Sequence, residues 1–336
     1  MEDYKLKLMT GDRVLIIGGL GFIGSNIAHK LVSLGADVTI LDACLDPYGW
    51  NFANIKEIKD RITFVKGDIR DFDLIKREIK NKNLIFNCAA QVSHTISMKD
   101  PLLDIDINCK GNMTLLEAAR AINDKVKIIY AGTRGEIGKL VYSPADENHP
   151  TNPTDLQGIN KLAAEKYHLL YNSVYGINTC SLRINNTYGI RQNVKNGDYG
   201  ILNWFVRKAI LGELIQIYGS GNQTRDYNYV EDVVDAMILA AQSDKSDGQI
   251  YLLGSGDEIK FIDMVNKVVN IAKSLGYNVA YKQVPWPKER EQIEIGNFVV
   301  SYDKIKKDLK WYPKTSFDDG LKKTFNFYKE RIKEYI

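Results

Sequence analysis

The stretch Arg13–Asn26, RVLIIGGLGFIGSN, decides the fold. It begins as a short apolar run of strand length that ends in glycines, then opens a helical segment, FIGSNIAHKLVSLG, over Phe22–Gly35. Gly18, Gly21 and Gly24 stand three apart across the junction. Glycines here permit a tight turn and let a pyrophosphate reach the backbone N–H groups of Phe22, Ile23 and Gly24 at the helix N-terminus. Alone, such a turn is a weak signal. Asp42 strengthens it, because it ends the second apolar run, DVTILDA (Asp37–Ala43), eighteen residues past Gly24. A carboxylate there accepts hydrogen bonds from the ribose hydroxyls of a dinucleotide and repels a 2′-phosphate. No arginine follows in LDACLDP, so NAD is expected over NADP.

The pattern continues outward. ITFVKGDI (62–69), NLIFNCAA (83–90) and VKIIYAGT (126–133) are further strand-length runs separated by helical or loop segments. Strands alternating with helices predict an α/β fold, a Rossmann-type doubly wound parallel sheet. Asp68 and Ile69 are expected at the adenine edge, and Ala89, Ala90 and Gln91 where the cofactor passes over the backbone. Beyond Gly189 the alternation loosens. LIQIYG and QIYLLG read as strands, Val230–Gln242 and Phe261–Leu275 as helices. The expected division is residues 1–185 for an NAD-binding domain and 186–336 mainly for a smaller substrate-binding lobe, with the chain crossing between them.

Composition bounds the function. The 336 residues are 44% hydrophobic and can bury a large core. Lys plus Arg number 45 against 42 acids, a net charge of +3 that gives no reason to expect nucleic acid or a membrane surface as partner. No run of about eighteen apolar residues is present to span a bilayer, and MEDYKLKLMTGDR lacks the apolar stretch of a signal peptide. Cys44, Cys88, Cys109 and Cys180 form no CxxC pair, so core thiols in a reducing cytoplasm, and no metal site, are expected.

These pieces together resemble the extended short-chain dehydrogenase/reductase superfamily, in particular its nucleotide-sugar epimerases and dehydratases. The likeness runs from GGLGFIGSN, Asp42, GDI and the CAA turn through Asn108 in INCKGNMTLLEAAR, Thr133 and Lys161. It continues in LRINNTYG, QTRDYNYVEDVVDA, LLGSG and LKWYPKTSFDDGL. The resemblance implies that Asn108 belongs to the cofactor site with the residues above. It also implies that a Ser or Thr, a Tyr and a Lys line the nicotinamide, with the Tyr as acid and base. Thr133 matches the first of these and Lys161 the last, which would also hold the ribose. Gln157, four residues before Lys161 in NPTDLQGINKLAAEKYH, stands where the tyrosine is expected. An amide cannot give up a proton at ordinary pH, so a slow reaction or a relocated base is expected. His94, Glu136 and Tyr142 are the loop candidates for that base.

Dehydratases of this kind carry Asp-Glu directly after the Thr; here Arg134-Gly135 follows and Glu136 comes one residue late. Dehydration is therefore disfavoured. For the substrate, the resemblance assigns Asn186 and Arg225 to the diphosphate and sugar. His94, Arg134 and Arg290 are further candidates, Arg134 as the countercharge of a carboxylate or phosphate. Leu252 and Ile190 replace the usual Asn and Pro, so the base of the nucleotide is not readable. The expected activity is an NAD-dependent nucleotide-sugar epimerase, acting at C4 through a transient 4-keto sugar. A 4-dehydrogenase or reductase, a 4,6-dehydratase, and a catalytically lapsed NAD- and sugar-nucleotide-binding protein are the alternatives. A homodimer is expected through Pro101–Ile122 and Leu156–Tyr175, with Leu115, Leu116, Leu162 and Leu169 serving either that contact or the core of the chain itself.

Overall fold

The computed structural model describes residues 3–46 and 49–336. Its centre is a seven-stranded sheet. In chain order the first six strands are β1 (Arg13–Ile17), β2 (Asp37–Asp42), β3 (Ile62–Lys66), β4 (Leu84–Asn87), β5 (Lys127–Thr133) and β6 (Thr179–Ile184). Their spatial order is β3-β2-β1-β4-β5-β6, and Gln249–Leu253 adds a seventh strand beside β6. Every pairing in this sheet is parallel. The order reverses between β1 and β4, which opens a crevice at their carboxyl ends.

Strands buried on both faces need apolar residues without alternation, and β1 shows the reason. Val14 and Ile16 join one core with the helices α1 (Phe22–Ser33) and Val230–Ala241. Leu15 and Ile17 join the opposite core with α2 (Phe72–Ile79) and with two later helices. Between α2 and these come α3 (His94–Lys99) and α4 (Pro101–Ile105); the two that join the core are α5 (Gly111–Ile122) and α6 (Leu156–Tyr175). The expected single helix over Pro101–Ile122 is interrupted by a π-helical turn at Asp106–Lys110. Of the two roles open to them, Leu115 and Leu116 take the second, fully buried within the second core. Leu162 and Leu169 are half-buried.

The second lobe is built on short strands and helices after β6. Its helix Val230–Ala241 packs back on α1, and Gln249–Leu253 pairs with β6, so the later part of the chain also completes the first layer. Among the described residues, no helix is long and apolar enough to cross a membrane.

Helix α6 is unusual in burying a polar face. Asp155 caps it by accepting the Gly158 N–H at 2.9 Å, and Gly176 ends it in the left-handed conformation. Gln157, Lys161, Glu165 and His168 recur at intervals of three and four, and all are buried against β5 and β6. A buried carboxylate needs a countercharge, and Arg183 of β6 supplies one to both Glu165 and Glu136 at 2.7 and 3.2 Å. Removing Arg183 would leave two carboxyls without their cation. Arg183→Met should cost about 3–5 kcal/mol, read from denaturant unfolding. Glu136→Gln should cost less than half as much, because the amide keeps an oxygen for the backbone N–H of Thr133.

Candidate active site

Two cavities meet at the carboxyl ends of the strands. The first, about 340 Å³, is lined by Gly18, Gly21, Phe22, Ile23 and Gly24, by Asp42, Asp68 and Ile69, and by Ala89 and Ala90. The turn before α1 is shaped by close approach. Gly18 has φ +78°, and a Cβ on it would lie 2.8 Å from Ala89 N. A Cβ on Gly24 would lie 2.4 Å from the carbonyl oxygen of Gly18. No side chain caps the start of α1, so its first N–H groups are left for an anion. The Asp42 carboxylate accepts the backbone N–H groups of Leu20 and Cys44 at 3.0 and 2.9 Å. These bonds fix it at the cavity wall, and burial pushes its pKa up. Glycine cradle, uncapped helix start and strand-end acid together fit an NAD.

Asp68 lies one turn beyond β3 and is held by Arg70 through two bonds of 2.9 and 2.6 Å. Gln91 and Asn108 do not stand on the wall of either cavity, contrary to their assignment from sequence. Both are fully buried behind it. The Asn108 side chain accepts the Gln91 N–H at 3.1 Å, and its amide donates to Gln91 O and to Asp104. The Gln91 side chain in turn closes on the backbone of Ser93. They brace the loop from β4 to α3 rather than touch the cofactor space.

Thr133, Gln157 and Lys161 converge on the first cavity. Thr133 ends β5, and its Oγ1 accepts the Gly135 N–H at 3.2 Å. Lys161 Nζ donates to Ala131 O at 2.6 Å and sits 4.2 Å from the centre of the Tyr130 ring. Burial depresses its pKa, while the neighbouring acid Glu136 opposes the shift. Gln157 is 4% exposed, and its Oε1 has no hydrogen-bond partner among the described residues. That oxygen lies 3.3 Å from the point where a Gly135 Cβ would be, and His94 Cε1 lies 3.4 Å from the same point.

The three candidate bases separate. Glu136 is fully buried, with Oε1 on the Thr133 N–H at 2.8 Å and Oε2 toward Arg183. Burial and Glu165 push its carboxyl well up, and it reaches neither cavity. Tyr142 donates to Asp146 at 2.6 Å on the outer surface, which raises its pKa to about 12. It also lies away from both cavities. His94 lines both, with Nδ1 held by Asp155 at 2.7 Å.

The second cavity, about 370 Å³, is lined by Arg134, Asn186, Arg225 and Arg290. Arg225 is already paired with Glu294, and Arg290 with Asp198 at 2.8 Å. Arg134 differs: its Nε donates to the neutral Asn186 Oδ1 at 3.0 Å, and it forms no salt bridge among the described residues. Burial and the charge of Arg225 lower its pKa to about 10. Sequence reading missed Trp286, Tyr218 and Glu294 on this wall. They lie beyond the first layer of the fold, in stretches that carry no motif.

Comparison with known proteins places the chain. The profile of the family described as GDP-mannose 4,6 dehydratase matches residues 15–324. A protein of Methanocaldococcus jannaschii named putative UDP-glucose 4-epimerase is 36% identical, covering 94% of this chain and 98% of its own. The structure of Thermotoga maritima UDP-glucose 4-epimerase with UDP-glucose superposes with a TM-score of 0.86 at 30% identity, covering 95% and 99% of the two chains. The Thermus thermophilus UDP-glucose 4-epimerase complex with NAD gives 0.84 at 30% identity, with the same coverage. The chain belongs to this family of extended short-chain dehydrogenases/reductases. It is an enzyme of that family, and NAD is the cofactor that the first cavity fits.

Asp42→Ala should weaken NAD binding by about 10- to 100-fold, the worth of hydrogen bonds to a charged group. NADP binding should fall much less, since the same change removes a repulsion. Titration calorimetry with both cofactors checks it; a parallel loss for the two would remove Asp42 from the ribose site.

Proposed function

We propose that this enzyme is an NAD-dependent nucleotide-sugar epimerase that acts at C4 through a transient 4-keto sugar. The observation that carries the reading is the convergence of Thr133, Gln157 and Lys161 where the cofactor cavity opens into an arginine-lined second cavity. Bound NAD supplies a hydride acceptor that returns the hydride, so it is not consumed. Lys161 holds the ribose hydroxyls, Thr133 hydrogen-bonds the reacting oxygen, and the unpartnered Gln157 amide orients it. Arg134, the arginine of this wall without a carboxylate partner, offers its charge to the anionic diphosphate or to an acid group on the sugar, alongside Asn186, Arg225 and Arg290. The inward position of Glu136 speaks against a 4,6-dehydratase, because the acid nearest the expected Asp-Glu pair is spent on Arg183 and Thr133. Cys44, Cys88, Cys109 and Cys180 are free thiols, which suits a cytoplasmic setting.

The test is incubation of the NAD-loaded protein with a panel of nucleotide sugars, with products followed by NMR. The expected product is the C4 epimer at constant total nucleotide sugar; loss of water or net NADH accumulation would replace the reading. On the substrate so found, Gln157→Leu and Thr133→Val should each lose about 1–3 kcal/mol of transition-state binding, seen in kcat/KM. Full activity of both variants would mean that these residues do not form the reaction centre.

The homodimer proposal rests on the outer face of α6. With its polar residues turned inward, the helix leaves Ile159, Leu170, Val174 and Tyr175 exposed, at 47, 52, 60 and 48%. Leu102 and Ile105 of α4, a neighbour of α6, add further exposed apolar area at 75 and 43%. Such a patch is what a two-fold helix pairing would cover. Light scattering at micromolar concentration should give twice the mass of the chain, and Ile159→Lys with Leu170→Lys should give the monomer. A monomeric native protein would overturn the pairing.

A further inference from the structure

We infer that His94, held by Asp155, is the acid and base that takes over the work of the absent tyrosine. The inference rests on the C4-epimerase reading and assigns its proton. Of the four histidines, His94 is the one on a cavity wall, and it stands on both walls, where cofactor and sugar must meet. His29, His149 and His168 are each bonded elsewhere: to Asn54 O, to Pro150 O and the Val141 N–H, and to Asn112.

The ring has the polarity a base requires. An ionised Asp155 can only accept, so the 2.7 Å contact places a proton on Nδ1. Nε2 then carries the free lone pair, and no described residue occupies it. Asp155 is itself fixed, because its other oxygen caps α6 at Gly158, and His94 pulls its pKa down. The charges that act on the Asp155 carboxylate are His94 itself and Arg134 on the turn after β5, and Asp155 in turn acts on Asp104 of α4, which also feels Lys161 of α6. Lys161 is the rival base. Burial lowers its pKa to about 8, but its Nζ is already bonded to Ala131 O and faces the Tyr130 ring, and it lines the first cavity and not the second.

Gln157 completes the arrangement. Its unpartnered Oε1 and the edge of the His94 ring flank the same point above Gly135. A sugar hydroxyl has one hydrogen, so a hydroxyl that reaches them gives it to Nε2 of the imidazole while its oxygen is held by the amide N–H of Gln157, two roles that one tyrosine would combine. The O–H bond breaks and an Nε2–H bond forms. The freed pair becomes the second bond of the 4-ketone, and the hydride that balances it goes to the cofactor named above. On return, Nε2 gives the proton back to the carbonyl oxygen.

Two measurements test this. Long-range nitrogen–proton spectra of the labelled protein, with the His94 signals identified by their loss in His94→Gln, should show Nδ1 protonated and Nε2 bare in the neutral ring. An Nε2–H tautomer would overturn the assignment, and this readout does not depend on turnover. In the epimerase assay, His94→Gln should lower kcat by about 10²–10⁴-fold with KM within a few-fold. The acid limb of the kcat profile should vanish, and added imidazole should restore part of the rate. An unchanged kcat, or a surviving acid limb, would overturn it. If native protein epimerises none of the panel, the functional reading fails by itself, and the tautomer still decides whether His94 is poised as a base.

Discussion

The site depends on one buried cation. Arg183 lies 2% exposed between two carboxyls that come from different parts of the chain, Glu136 after β5 and Glu165 within α6. A single guanidinium cannot fully compensate two acids in a desolvated core, so the pair divides. Glu165 takes the close bidentate contact and is held low, while Glu136 is pushed up. The consequence is positional. The strand that ends in Thr133 and the helix that carries Gln157 and Lys161 are tied to β6 by the same side chain. Their mutual placement is therefore set by charge pairing beneath the cavity floor, as well as by packing.

This constraint makes the site independent of the side chain at position 157. Lys161 is fixed by Ala131 O and the Tyr130 ring, neither of which involves residue 157. Thr133 is fixed by its bond to Gly135 and by Glu136 on its backbone. Residue 157 supports neither neighbour, so its chemistry can change while the frame stays. Under the proposed reaction the proton must go elsewhere, since an amide can hold a hydroxyl but cannot take its proton.

Much of the fold was legible because its signals are local. The glycine turn and the strand-end acid each follow from a few adjacent residues and elementary backbone needs. The reading of Glu136 shows where locality misleads. Its sequence position, one residue from the dehydratase pair, suggested a group facing the substrate. Yet Thr133-Arg134-Gly135-Glu136 is also a Thr-x-x-Glu capping box, and the structure uses it so, turning the carboxyl back onto the Thr133 N–H. That signal was present in the sequence and outweighs a one-residue mismatch. Gln91 and Asn108 were placed in the right neighbourhood, but whether a side chain faces a cavity or braces its wall depends on a loop closing on itself. The partner of Arg225 was not legible, because Glu294 lies 69 residues away in a segment without a motif.

Asp155 shows most plainly what sequence could not supply. From their places before Leu156, Thr154 and Asp155 are equally readable as the helix cap. The second oxygen of Asp155 meets His94, 61 residues earlier, only because α3 packs on the start of α6. One carboxylate thus serves two requirements at once. It satisfies an N–H that the helix start would otherwise leave open, and it sets the tautomer of the ring at the junction of the cavities. The capping bond ties the carboxylate to the rigid end of a twenty-residue helix. The imidazole is thereby aimed by the same helix that presents Gln157 and Lys161. Gln157, Lys161 and the carboxylate that supports the ring thus stand on one helix, a shared frame in which the proposed proton transfer at His94 needs no change in the placement of residue 157.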